Sequence, residues 1–153
     1  MKWYHWFLIL VISGGGYVVY TQTRGLRNNN PGNIRKTTDK WKGLSAKQTD
    51  DEFFQFDSSV WGIRAMAKLL QNYQKRYGLD SVEQIINRWA PPIENDTSSY
   101  VKSVAQNVGV TPSQTLDLNN VDALSRLVKA VIRHENGINP YSDETIIGAI
   151  GLI

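Results

Sequence analysis

No Asp, Glu, Lys or Arg occurs between Trp3 and Tyr20 of this 153-residue chain, in the run WYHWFLILVISGGGYVVY. As a helix at 1.5 Å per residue the run would be roughly 27 Å long, enough to cross the hydrocarbon of a bilayer. Trp3, Tyr4 and Trp6 at one end and Tyr17 and Tyr20 at the other suit the lipid–water interface, and Arg24 and Arg27 follow. The run predicts an N-terminal transmembrane anchor over residues 1–22, with residues 3–20 in the lipid bilayer, and leaves residues 23–153 for a folded domain. The other reading is a cleaved secretory signal. Lys2 gives it a minimal positive start and Ser13-Gly14-Gly15-Gly16 its small residues, but no Ala-x-Ala-like site follows. Each glycine weakens a helix by about 1 kcal/mol relative to Ala, so such an anchor would be held loosely. Arg24, Arg27, Arg35 and Lys36 outweigh Lys2 and the amino terminus, which by the positive-inside rule leaves the domain on the cytoplasmic side or inside a particle.

The remaining residues suffice for one core but not comfortably for two. Residues 21–57 are rich in Asn, Gly, Thr, Lys and Asp; Asn28-Asn29-Asn30-Pro31-Gly32-Asn33 is a turn signal, and Glu52-Phe53-Phe54-Gln55-Phe56 reads as a strand. From Ser58 the pattern becomes helical. Ser58 or Ser59 caps a helix with Val60, Ile63, Ala67, Leu70 and Tyr73 on one face, ended by Gly78. Asp80-Ser81 with Glu83-Gln84 forms a capping box for a short helix bearing Val82, Ile85, Ile86 and Trp89, stopped by Pro91-Pro92. Asp96 or Thr97 opens a third, with Tyr100, Val101, Val104 and Val108 inward, and Asn119 or Asn120 caps a fourth from Val121 to about Glu135. Asp143 and Glu144 precede a last short apolar run. The expected class is α+β, mainly helical: a small β-region followed by four or five helices.

Composition closes off several chemistries. With no cysteine and two widely separated histidines, no metal site and no cofactor are expected. Seventeen basic against 14 acidic residues, without a polybasic run, is a weak imbalance, and nucleic acid is not an expected partner.

Chemistry concentrates at Glu135. Leu124, Val128 and Val131 advance by four and three, and the next position of that buried stripe is 135. A carboxylate there is partly desolvated and lies at the negative end of the helix dipole; both raise its pKa, as suits a general acid. Alternatively the side chain turns outward to solvent or pairs with Arg133 or another basic residue. His134 reads as an exposed neighbour. The run Asp50-Asp51-Glu52 reads as a solvated turn, from which Asp51 or Glu52 could supply a second carboxylate, since glycosidic cleavage commonly uses two. Asn28, Asn29, Asn30, Asn33, Trp41, Gln55, Asn95, Thr97 and Tyr100 supply the amide, hydroxyl and flat apolar surfaces that a sugar polymer needs, although each could also be a turn or core residue.

The segments RGLRNNNPGNIR (24–35), Trp41-Lys42-Gly43, FFQF followed by SSVWGIRA (58–65), RWAPPIENDTSSYV (88–101) and HENG (134–137) resemble, in that order, the phage lysozyme-like proteins known as virion structural or lytic proteins. The resemblance implies a lysozyme or lytic-transglycosylase type of fold and a murein-degrading enzyme of phage origin. That fold normally places its catalytic Glu at a helix end before the β-region. Here the Glu-bearing helix comes last, which implies a circular permutation. Tyr100 is similar in setting to the Asn-Tyr pair that transglycosylases keep near their acid. HENGINPYSDETIIGAIGLI also resembles the first transglycosylase motif, with Asn136 in place of its Ser, one more residue before Gly148, and an end before Met-Gln.

The resemblance implies cleavage of the β-1,4 bond between N-acetylmuramic acid and N-acetylglucosamine in peptidoglycan, as a lytic transglycosylase or a muramidase, in phage entry or host lysis. Glu135 would be the acid, with substrate contacts from Asn30, Asn33, Trp41, Gln55, Asn95, Thr97 and Tyr100. The expected location is a virion membrane or host inner membrane, the domain meeting periplasmic murein, with other virion proteins as further partners. Two rivals remain: a membrane-anchored virion protein that binds murein without cutting it, and a peptidase of the murein cross-links.

Overall fold

Polar side chains mark where the helices begin. In the computed structural model, which describes residues 22–92 and 96–153, the elements are α1 (Arg24–Arg27), α2 (Ser59–Tyr77), α3 (Val82–Trp89), α4 (Thr97–Val108), α5 (Val121–Asn136) and α6 (Asp143–Ile150). Ser81, Asp96, Asn120 and Ser142 each accept from a backbone N–H of the first turn that follows, and Ser81 with Gln84 completes the capping box. Ser58 occupies the cap position of α2, but its side chain makes no capping bond. Gly78, Gly109 and Gly137 close α2, α4 and α5 in the left-handed region. The stretch expected to cross a membrane lies outside the described residues, and no helix among those described is long and apolar enough to do so.

The apolar stripes meet in one core. Met66 and Leu70 of α2, Ile85 and Ile86 of α3, Val104 of α4, Leu127 and Val131 of α5 and Ile146 of α6 are fully buried, with Phe54 and Phe56 entering from the preceding loops. Burying each such side chain contributes about 1.5–3 kcal/mol. α4 packs on α3 and α5, while α6 packs on α2 and α5. Buried Arg64 donates through Nε to the Leu152 carbonyl at 2.9 Å and ties the chain end to α2.

Two expectations need correction. A short helix, α1, occupies part of the segment read as loops and strands. The β-region contains no strand among the described residues, only isolated bridges of Arg35 with Phe53 and Leu44 with Phe56. The backbone around Phe53–Phe56 is satisfied partly by backbone pairs, with Phe54 N–H on the Ile34 carbonyl and Phe56 N–H on the Asn28 carbonyl, and partly by side-chain amides. Asn30 Nδ2 donates to the carbonyls of Ile34 and Phe54, and Gln48 both donates to the Gln55 carbonyl and accepts from its N–H. The amides share the Ile34 and Gln55 carbonyls with backbone N–H groups and interleave with the ladder, whose bridges are each one residue long. The architecture is a mainly helical domain with an amide-knotted loop region.

Candidate active site

Glu135 lies in the last turn of α5, where the buried stripe reaches the surface, and is half-buried. Three elements aim donors at its carboxylate. Tyr100 of α4 donates its hydroxyl to Oε1 at 2.7 Å, Trp89 at the end of α3 donates its indole N–H to Oε1 at 3.3 Å, and Asn33 of the Asn-rich loop donates through Nδ2 to Oε2 at 2.9 Å. No basic side chain among the described residues pairs with it. Desolvation raises the Glu135 pKa above the ordinary value, and the three donors oppose the rise without cancelling it. Burial, followed by the neighbouring Glu135 charge, holds the Tyr100 hydroxyl well above its usual pKa, so it stays a donor.

The loop that presents Asn33 is built from its own amides. Asn29 and Asn33 both take positive φ, 52° and 49°, which Asn tolerates better than most residues. Asn30 is fully buried; besides its donor bonds it accepts from the Ile34 N–H through Oδ1. Asn136, next to Glu135, donates to the Pro31 carbonyl at 2.7 Å and accepts from the Thr23 hydroxyl at 2.5 Å. Thus α1, the loop and the end of α5 are joined beside the carboxylate. Gly25 makes this closeness possible, because a Cβ there would meet the amide oxygens of Asn33 and Asn136, each at 2.8 Å.

Asn33 and Tyr100, both expected to contact substrate, therefore converge on Glu135. The other candidates are placed elsewhere. Asn30 bonds the backbone of Ile34 and Phe54 and not Glu135, and the Gln55 side chain accepts from the Thr49 and Asp50 N–H groups. Thr97 donates its hydroxyl to the Ala90 carbonyl, joining α3 to α4. Trp41 is half-buried against the core, its indole N–H without a partner. Asn95 lies outside the described residues. Of the acidic run, Asp50 is held by Arg24 and Asn28, Glu52 pairs with Arg24 at 2.7 Å, and Asp51 is exposed. None of the three is hydrogen-bonded to the Glu135 cluster.

Two residues of the cluster were read differently in the sequence. The sequence pattern puts Trp89 on the apolar face of its helix, yet its N–H reaches the carboxylate; the signal for this is its place at the helix end just before Pro91-Pro92. His134 is half-buried rather than exposed, stacked on Tyr100 with ring centroids 3.6 Å apart and planes 17° from parallel. Burial lowers its pKa, favouring the neutral ring. An open recess of about 530 Å³ lies between α3 and α4, lined by Asn87, Thr97, Val101, Lys102 and Pro112 among others, but it does not include Glu135. No group of His, Asp and Glu among the described residues could hold a metal ion.

Known proteins place the chain more narrowly. No family model matches it. Protein P5 of Pseudoalteromonas phage PM2 is 41% identical over 153 residues, an alignment that takes in 95% of this chain and 94% of that protein. With such identity across nearly the whole of both chains, this protein belongs to the family of phage PM2 Protein P5.

Proposed function

We propose that this phage protein cleaves the β-1,4 bond between N-acetylmuramic acid and N-acetylglucosamine in peptidoglycan, with Glu135 as general acid and then base. The observation that carries the reading is the Glu135 carboxylate itself: desolvated enough to favour its proton, yet fixed by three donors from three elements. Burial that favours the protonated form and donors that stabilise the charged one suit a group that gives up a proton and takes one back, as glycosidic acid–base chemistry requires. The lysozyme-like, circularly permuted relationship belongs to the same proposal, supported by the helix-end carboxylate and the tyrosine beside it.

The absence of a second carboxylate bonded into the cluster favours the transglycosylase route, among the described residues. Protonated Glu135 gives its proton to the glycosidic oxygen as the bond from that oxygen to the muramyl C1 breaks. The muramyl 6-hydroxyl oxygen then bonds to C1 and yields its proton to the Glu135 carboxylate. The acid is regenerated, no water is consumed, and the product carries a 1,6-anhydro end. The apolar stretch 3–20 would hold this chemistry at a virion or host inner membrane, within reach of murein during entry or lysis. Since the alignment takes in 95% of the chain, the larger part of that stretch lies within it.

Digestion of purified peptidoglycan followed by mass spectrometry tests the proposal. The native protein should release 1,6-anhydro muropeptides, and Glu135→Gln should lose about 10²–10⁴-fold in rate. Full activity in that variant would overturn the assignment, reducing ends would point to hydrolysis, and free amino groups without sugar ends to a peptidase.

A further inference from the structure

The cluster around Glu135 continues outward along α3 and α2 as a strip of aromatic rings that ends in a cation. Trp89, whose indole N–H faces Glu135, meets the Tyr73 ring nearly edge-on, with centroids 6.4 Å apart and planes at 68°. Beside it the Arg88 guanidinium lies 5.1 Å from the Tyr73 centroid and 3.9 Å from that of Tyr77. Arg88 is exposed, and no carboxylate among the described residues pairs with it. Tyr77 is itself 53% exposed, a large apolar ring left open to solvent within about two turns of the core-facing Leu70.

An arginine seated between two ring faces is pre-positioned. The rings restrict the side chain and attract its charge, and the guanidinium, which also hydrogen-bonds the Tyr73 hydroxyl, has further N–H donors for another partner. Its fork matches a carboxylate in two parallel bonds. Ring faces next to it suit the apolar face of a sugar, and the strip starts at the proposed acid. From this juxtaposition we infer that Tyr73, Arg88 and Tyr77 form a subsite for a glycan that carries carboxylates, with Arg88 gripping the carboxylate and the tyrosines the adjoining sugar. The inference rests on the proposed glycan cleavage at Glu135 for its ligand class. The carboxylate has two possible sources on a murein strand, the lactyl group of an unsubstituted muramic acid and the stem peptide.

Sedimentation of the full-length protein with three murein preparations tests it: peptide-bearing strands, strands freed of peptide by an amidase, and peptide-bearing strands whose carboxylates have been converted to amides with carbodiimide and ammonia. Arg88→Gln should weaken binding to carboxylate-bearing strands about tenfold, as expected for loss of a charge-assisted pair. On the amidated strands native and variant protein should bind alike. Arg88→Lys should recover part of the loss, since it keeps the charge without the fork. The preparation on which the loss falls identifies the carboxylate. Equal loss on the amidated strands, or no loss on any, would overturn the subsite. Because the readout is binding, it stands apart from the cleavage test. Native protein that cleaves nothing but shows the Arg88-dependent preference would refute the Glu135 proposal and leave the subsite intact.

Discussion

Tyr100 and Asn33 hold the Glu135 carboxylate by donating to its charged form, and each bond lowers its pKa against the burial that raises it. Removing either donor should therefore move the pKa further up. For Tyr100→Phe the basic limb of the pH profile of kcat/KM, where the acid loses its proton, should shift to higher pH, with plateau activity falling about tenfold as the carboxylate loses its orientation. A Tyr100 that only filled space would leave that limb where it is. Asn33→Gly should shift it the same way while relieving the positive φ, whereas Asn33→Ala adds about 1–2 kcal/mol of backbone strain, read as a lower Tm than that of the glycine variant. The periodicity of one helix was enough to locate Glu135. It could not separate Asn33 from Asn30, or Tyr100 from Thr97, because the same amide or hydroxyl serves a carboxylate or a backbone carbonyl depending on contacts made more than a hundred residues away, as between Asn33 and Glu135.

Among the elements, α2 and the Asn-rich loop meet backbone to backbone at Gly62. A Cβ at Gly62 would stand 1.9 Å from the Asn29 carbonyl oxygen. That neighbour is backbone and cannot rotate away, so Gly62→Ala must part the helix from the loop that carries Asn33. We expect a cost of about 3 kcal/mol or more in denaturant unfolding, with activity falling in step. The helices were legible because their caps, apolar spacing and stop residues agree. The strand was not, and its failure is instructive: Phe54 and Phe56 alternate inward as a strand's residues would, but their backbone bonds go to scattered loop carbonyls and are interleaved with Asn30 and Gln48 side chains. Alternation reports which face is buried, not which groups complete the backbone.

At the scale of the molecule, one ion-pair network fastens the N-terminal region to the loops. Asp50 accepts from Arg24 and Asn28, and its side chain is only 8% exposed against 39% for Arg24. The Arg24 guanidinium, aided by the Asn28 amide and two backbone N–H groups, holds the Asp50 pKa well below the usual carboxylate range. A carboxylate with a depressed folded-state pKa contributes stability that is complete above the ordinary Asp value of about 3.9 and is lost as the pH falls below it. Asp50→Asn should lower Tm at neutral pH, and the gap from the native protein should narrow on acidification. Partial exposure of Arg24 keeps the effect modest and sensitive to salt.

Thr23, whose hydroxyl bonds Asn136 one residue from the proposed acid, has a consequence for reach. A chain held in lipid as far as Tyr20 has only three residue steps, at most about 10 Å of extended backbone, before it is fastened beside Glu135. With residues 3–20 in lipid as proposed, the carboxylate would work only on glycan lying close to the membrane surface, its height above the bilayer set by this short tether.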